Sequence, residues 1–429
     1  MTVRGDLETR ARAVLSPVLG HYTWLPVERG EGSWLHIKGG RKVLDLTCGI
    51  AVTPVGHAHP RVVAAVQEQV AKLSHICAGV ALYEPNVALA ERLAEISPAG
   101  LDTVFFGNSG AEAIEGSVKL ARQVTGRQGI IVFRGGFHGR TTGAASLTTS
   151  KAAYRRGYGA LLPEIHTAPF PYPLACRIGE PHDAEACGEH SLAEIEAMLE
   201  HEIPPEHVAA FLLEPVLGEG GYVAAPASFL KSLRALADRI GALLILDEVQ
   251  TGLGRTGTWT AAERLGVKPD ILVFAKALGG GLPLGAIVAP RALHAKWQTS
   301  THGSTFGGNP VSCASGLATL DVIRDDGLVA RANEVGAIIV EELAPLRRSA
   351  RVREIRSFGA MVAIEFDDKA TSKGAIAGAL ERDVLLITCG AHDQVVRFIP
   401  ALNIAEDDLR TGVRSFVAAT QGALVAAPA

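Results

Sequence analysis

With 429 residues, 48% of them hydrophobic and 20% charged, the chain is sized for a globular protein of two or three substructures, each around a substantial core. A net charge of −4 and a pI near 6.4 leave no basic footprint for nucleic acid or an anionic membrane. The opening residues, MTVRGDLETRARAVL, lack an apolar targeting core, no apolar run reaches membrane-spanning length, and the six cysteines (48, 77, 176, 187, 313 and 389) include no Cys-x-x-Cys pair, so a cytoplasmic protein with reduced thiols is expected.

In chain order, a helix is predicted over 6–15, then a hairpin from Trp34 that turns at Gly39-Gly40, then a loop through Cys48-Gly49-Ile50-Ala51-Val52. His57 and His59 alternate in a Pro-ended loop with no third ligand nearby, which is not a metal pattern. Helices follow over 60–73, with proline in the first turn, and from Glu84 to about Ile96. Thr103–Gly107 reads as a strand that runs into Asn108-Ser109-Gly110-Ala111-Glu112 and a helix to about Val124. A glycine at a helix start opens an anion site, because free N–H groups and the helix dipole face outward. The same letters also spell a capping box of Ser109 with Glu112, which needs no ligand.

Strand 129–133 leads to Gly135-Gly136-Phe137-His138-Gly139-Arg140. From about 163 to 190 the chain is rich in Pro, His, Cys and Gly without a period, and is expected to wander over the surface; Cys176, His182, Cys187 and His190 match no common zinc spacing. A helix over 192–201 precedes a strand over 209–213 with Glu214-Pro215 at its tip and Gly218-Glu219-Gly220-Gly221 beyond. The helix over 227–240 carries Phe229, Leu233, Leu236 and Ile240 at core spacing. Two apolar runs, 242–246 and 271–274, then read as buried parallel strands that deliver Asp247 and Lys276 at their carboxyl ends. A return strand over 284–288, the loop Gly303-Ser304-Thr305-Phe306-Gly307-Gly308-Asn309, and a long helix from Pro310 lead to a last third. Helices are expected there near 327–344, 373–383 and 406–420, and strands near 360–366 and 384–388, before a frayed tail from Leu424. No repeat or low-complexity linker interrupts the chain.

Taken alone, Asp247 and Lys276 read equally well as a pair that simply neutralises itself. Their surroundings suggest chemistry. Gly279-Gly280-Gly281 lets backbone approach a flat molecule beside Lys276, and Gln250 adds an amide donor beside Asp247. A lysine of lowered pKa forms a Schiff base with an aldehyde, and a carboxylate keeps a pyridine nitrogen protonated. Those are the two tasks of a pyridoxal phosphate site.

The blocks GHAHP, NSGAEA, FHGRT, LLEPVLGEGG, LDEVQTGLGRTG, FAKALGGGLPLGA and STFGGNP, in this order from about Trp24 to about Asp408, resemble the class III (ω-amino acid) aminotransferases. The resemblance implies an α/β protein of pyridoxal-phosphate fold type I. A large domain (59–310) would hold a mostly parallel seven-stranded sheet, and a smaller α+β domain would be assembled from segments 1–58 and 311–429. It implies pyridoxal 5'-phosphate bound to Lys276, with Asp247 at the ring nitrogen and Gln250 at the phenolic oxygen. Ser109, Gly110 and Ala111 would cradle the phosphate, Phe137 would stack on the ring with His138 beside it, and Thr305 would reach the phosphate of a second subunit. For substrates it implies Ile50 at the entrance, Arg140 on a distal carboxylate, and Glu214 as a switch against Arg397. Ile50 stands where ornithine aminotransferases carry a tyrosine, and isoleucine cannot hydrogen-bond an α-ammonium. The implied reaction passes the amino group of a donor such as 4-aminobutyrate to a 2-oxo acid, in a homodimer with shared sites and with pairing of dimers into tetramers left open. Acetylornithine or ornithine transamination, and amino acid racemisation on the same fold, stay open as alternatives.

Overall fold

Long apolar stretches dictate the centre of the molecule, which the computed structural model describes over residues 6–176 and 183–426. Val208–Leu213, Leu243–Asp247 and Ile271–Phe274 are nearly all apolar because both faces of their sheet are covered. The sheet has seven strands, in the order 103–107, 285–289, 271–274, 243–247, 208–213, 129–133 and 165–168. Only Gly285–Ala289 is antiparallel to its neighbours. The other six strands therefore send their carboxyl ends to one edge.

Alternate residues serve opposite faces. Ile130, Val132, Ala210, Leu212, Ile245 and Val273 pack with Ile114, Val118 and Ala121 of the helix Gly110–Thr125. Ile131, Phe133, Phe211, Leu213, Leu244, Leu246 and Phe274 join the larger core with Leu230 and Leu233 of helix Ala227–Ile240 and Leu320 and Ile323 of helix Pro310–Asp325. The ends of the chain meet in a second sheet. Val27–Glu31, Trp34–Ile37 and Lys42–Asp45 are antiparallel, the last two turning at Gly39-Gly40 as expected, and Val384–Leu385 adds to Lys42–Asp45 in parallel. A third, antiparallel sheet runs 352–358, 361–366, 395–398, 387–389, with Arg397 on an inner strand.

Three expectations change. The wandering stretch after Pro163 contains Ile165–Ala168, the edge strand of the large sheet, and the following helix starts at Ala184, not 192, capped by Asp183. Gly188 is a poor helix former, yet a Cβ there would lie 3.1 Å from Phe229 Cβ, so its lack of a side chain permits close helix packing. No strand is expected over 352–358, yet Val352–Phe358 is one; its residues read as polar because it is an edge strand with much of its surface open. The third change is at Cys48–Ala51, whose φ values of +52°, +60°, +65° and +64° make a left-handed turn in place of a plain loop. His182 and residues 427–429 of the tail expected to fray lie outside the described residues; the last helix spans Glu406–Ala426. No helix among the described residues is long and apolar enough to cross a membrane.

Candidate active site

The shared edge of the sheet gathers the polar residues. Asp247 pairs in register with Val273, and Leu246 with Leu213, so Asp247 and Glu214 stand level at adjacent strand tips, with Lys276 three residues past Val273. A cavity of about 400 Å³ opens there. Its wall includes Ser109, Gly110, Ala111, Phe137, His138, Glu214, Asp247, Gln250 and Lys276. Sheet edges of this kind, where strand order reverses, are where open α/β folds hold ligands.

Lys276 enters the wall on a backbone with φ +37°, an uncommon conformation for a side-chain-bearing residue and one found at functional sites. Burial lowers the pKa of its amine, while Glu214 and Asp247 work in the other direction. A neutral amine is nucleophilic. Asp247 accepts from Val249 N at 3.0 Å through Oδ1, and its Oδ2 lies 2.7 Å from His138 Nδ1. The opposite ring nitrogen, His138 Nε2, is buried without a partner, as is Gln250 Oε1. Glu214 accepts from Phe137 N at 2.9 Å and Gly218 N at 3.0 Å. Its pKa is pushed up to about 7 by burial and then by the neighbouring Asp247 charge.

The start of helix Gly110–Thr125 is capped and also borders the cavity. Ser109 Oγ accepts from Glu112 N at 3.2 Å, and the Glu112 carboxylate accepts from Asn108 N at 2.9 Å, so the cap is real. Ser109, Gly110 and Ala111 nevertheless face the cavity. The loop beside them lies close enough that a Cβ on Gly139 would sit 2.6 Å from that of Ala111, at φ +129°.

Arg397 is 2% exposed, and its Nη2 is 3.0 Å from a carboxylate, but that acid is Glu219 and not Glu214. The expected pairing with Glu214 is thus corrected: five residues separate the strand tip from the loop that reaches the third sheet, and Glu214 is already occupied by two backbone N–H groups. Arg397 Nε is buried without a partner. Glu219 also accepts from Lys151 Nζ at 2.9 Å and Tyr154 Oη at 2.8 Å. Lys151 and Tyr154 were not legible as site residues, since nothing in their spacing distinguishes them from a surface loop. Tyr22 also lies within electrostatic reach of Arg397 and Glu219.

Arg397 is not part of the cavity wall, and three further expected residues stand outside it as well. Arg140 is exposed, its guanidinium 4.1 Å above the Tyr154 ring and 5.8 Å from that of Phe137. Ile50 projects from the left-handed turn, and Val52, two residues on, lines the cavity in its place. Thr305 is exposed beside Phe306. His57 is committed to Asp45, with Nε2 2.8 Å from Oδ2; the same carboxylate accepts from Thr47 N, Thr47 Oγ1 and Cys48 N, and so holds the start of the strained turn.

Comparisons with known proteins agree with this geometry. The family model described as aminotransferase class-III matches residues 16–420. The chain is 38% identical over 418 residues to the 5-aminovalerate aminotransferase of Pseudomonas aeruginosa, covering 95% of this chain and 96% of that one. It is 36% identical to the 4-aminobutyrate aminotransferase of Escherichia coli K12, covering 96% and 97%. Among solved structures, an (S)-enantioselective omega-transaminase from Thermomicrobium roseum superposes with a TM-score of 0.90 at 30% identity, covering 98% of each chain. An omega transaminase from Pseudomonas jessenii in complex with PMP gives 0.91 at 25% identity, again over 98% of each.

Proposed function

Because the chain belongs to the class-III aminotransferase family, we propose that it moves the amino group of an ω-amino acid of the 4-aminobutyrate or 5-aminovalerate type to 2-oxoglutarate, with pyridoxal phosphate as cofactor. The products are the corresponding semialdehyde and glutamate. The observation that carries this reading is a single cavity walled by an amine of lowered pKa, a buried carboxylate and an open helix N-terminus.

Those residues fit the cofactor. Lys276 is the amine for its aldehyde, and Asp247 the carboxylate for its ring nitrogen. Two residues of the wall, Gln250 and His138, each keep a buried polar atom without a partner, Oε1 and Nε2, which a polar occupant suits better than an apolar one. The N–H groups after Ser109 suit a phosphate. When bound, pyridoxal phosphate supplies an electron sink for negative charge on the substrate carbon. Lys276, once free, would be the base that takes the proton from that carbon and carries it to the carbon that had been the cofactor's aldehyde. Asp247 holds a proton at the ring nitrogen, and His138 fixes the Asp247 carboxylate through the 2.7 Å contact. Phe137 offers a ring face to the cofactor.

The two substrates differ in charge near the reacting end. Paired with Glu219, Arg397 has its Nη2 engaged by a carboxylate; parted from it, Arg397 offers that group and an unpartnered Nε and can take an α-carboxylate with two N–H groups. Arg140, stacked on Tyr154 beside Phe137, is available to the distal carboxylate of the donor. Ile50 has no hydrogen-bonding group for an α-ammonium, which disfavours ornithine. Thr305 is exposed, outside the wall of its own cavity and next to exposed Phe306, which supports a homodimer in which it serves the other subunit. Six unpaired cysteines suit work in the cytoplasm.

The test is a half-reaction. Cofactor-loaded protein given 4-aminobutyrate or 5-aminovalerate alone should lose its aldehyde-form absorbance, and 2-oxoglutarate should restore it. Inversion of an α-amino acid with no oxo acid present would instead make the protein an isomerase. Borohydride should fix the cofactor to Lys276, and Lys276→Ala should abolish both the adduct and turnover; an adduct mapped to another lysine would overturn the assignment.

A further inference from the structure

Glu219 is held by more positive charge than its pairing with Arg397 requires. Its carboxylate is 11% exposed and divides its oxygens: Oε2 faces Arg397 Nη2 at 3.0 Å, while Oε1 takes Lys151 Nζ at 2.9 Å and Tyr154 Oη at 2.8 Å. Lys151 is anchored in turn by Asp393 Oδ1 at 2.6 Å, and Asp393 Oδ2 takes Lys369 Nζ at 2.7 Å. Two carboxylates and two lysines thus balance without Arg397, which carries the net positive charge of the cluster. Burial opposes the charge on Glu219, and Arg397 with Lys151 overcomes it, holding the carboxyl below the ordinary glutamate pKa.

We propose that Lys151 is a positioning residue for the acceptor half of the reaction: it retains Glu219 in place as an anion while Arg397 turns to the α-carboxylate of the oxo acid. The proposal rests on the two-substrate reading given above. For an incoming carboxylate to bind, Arg397 must exchange one acid for another, and two carboxylates side by side repel. A glutamate this enclosed and without a cation would recapture Arg397 or take up a proton. Lys151 removes that competition. It bonds the oxygen that Arg397 does not use, so the departure of Arg397 leaves Glu219 with an ion pair and the Tyr154 hydroxyl. Asp393 fixes Lys151 from the far side, which stops the ammonium from following the substrate into the cavity.

The test reads binding of glutarate, an unreactive dicarboxylate, to the holoenzyme by calorimetry, with thermal unfolding as a check on the fold. Lys151→Met should weaken glutarate by about tenfold or more and Lys151→Arg by less than about threefold, since either cation can hold Glu219. In a Glu219→Gln background the loss from Lys151→Met should shrink to less than about twofold, because a neutral amide needs no counter-cation. Equal weakening in both backgrounds, or no weakening in either, overturns the proposal. Lys151→Gln carries the same comparison if the methionine variant does not fold. Wild type that fails to bind glutarate sinks the acceptor reading and Lys151's role with it; wild type that binds while Lys151→Met binds equally sinks only the latter.

Discussion

Single side chains at the sheet edge have been moved off their ordinary ionisation by burial. Glu214, at the tip of its strand, has a pKa near 7, raised first by desolvation and then by Asp247. In the unfolded chain a glutamate titrates near 4.3. The folded cofactor-free protein therefore holds this proton more tightly than the unfolded chain does, and between those two values stability falls as pH rises. Glu248, enclosed beneath the N–H groups of Ala261 and Ala262, is also pushed up to about 7 by burial and adds a slope of the same sign. Replacing Glu214 with Gln should remove about half of that slope while leaving the Glu248 share. Urea unfolding of cofactor-free protein at a series of pH values between 4.5 and 7.5 measures it; an unchanged slope would mean that Glu214 is ionised throughout. At this scale much of the site was readable in the sequence. Asp247, Lys276 and Ser109 each follow an apolar strand by a few residues, and a strand end at that edge faces a ligand whatever the side chain. Glu219 was passed over for Glu214, because two glutamates five residues apart, one at the strand tip and one in the glycine-rich loop beyond, carry no sign of which one turns toward the third sheet.

At the level of elements, the phosphate-type cradle depends on how closely backbones approach it. A Cβ on Gly285 would lie 2.4 Å from the Ser109 carbonyl oxygen, where strand Gly285–Ala289 runs antiparallel beside Thr103–Gly107. Gly285→Ala should cost about 1–3 kcal/mol of stability through overpacking. Because the displaced atom is the helix N-cap backbone, cofactor affinity should fall as well. Thermal unfolding with a cofactor titration checks both; full affinity at reduced stability would show that the helix start tolerates the shift. The Cys48–Ala51 turn follows similar logic from the opposite side. Three residues with Cβ atoms sit in the left-handed region, at a cost of order 1 kcal/mol each. Asp45 offsets this by accepting from Thr47 and Cys48 while bonded to His57. No local signal in the sequence announces that turn, because it is imposed by a carboxylate buried three residues earlier and a histidine twelve residues from it.

For the molecule as a whole, one chain encloses the amine, the acid and the cradle but leaves apolar surface uncovered. Val80 is 76% exposed, Leu82 85% and Phe306 58%, the last adjacent to Thr305 and tilted against His75 with ring centroids 4.8 Å apart. Large apolar side chains this open are characteristic of a surface that another protein covers. With a second copy as the partner, Phe306→Glu should shift sedimentation toward monomer and reduce turnover, and the loss should be recovered in part at high protein concentration. A variant that stays dimeric and fully active would place the interface elsewhere.

Periodicity and composition by themselves determined the alternation of helices and apolar strands, and hence the covered sheet, the common edge of the parallel strands and the acid and amine standing on it. These follow from the sequence because each depends on neighbours within one or two turns of chain. Tertiary structure alone decided which carboxylate meets Arg397, that Lys151 and Tyr154 share it, that Val52 rather than Ile50 lines the cavity, and that the segment after Pro163 supplies an edge strand and a longer helix. Each of those outcomes depends on a partner tens to hundreds of residues away, and charge or packing at such a distance leaves no mark on local pattern.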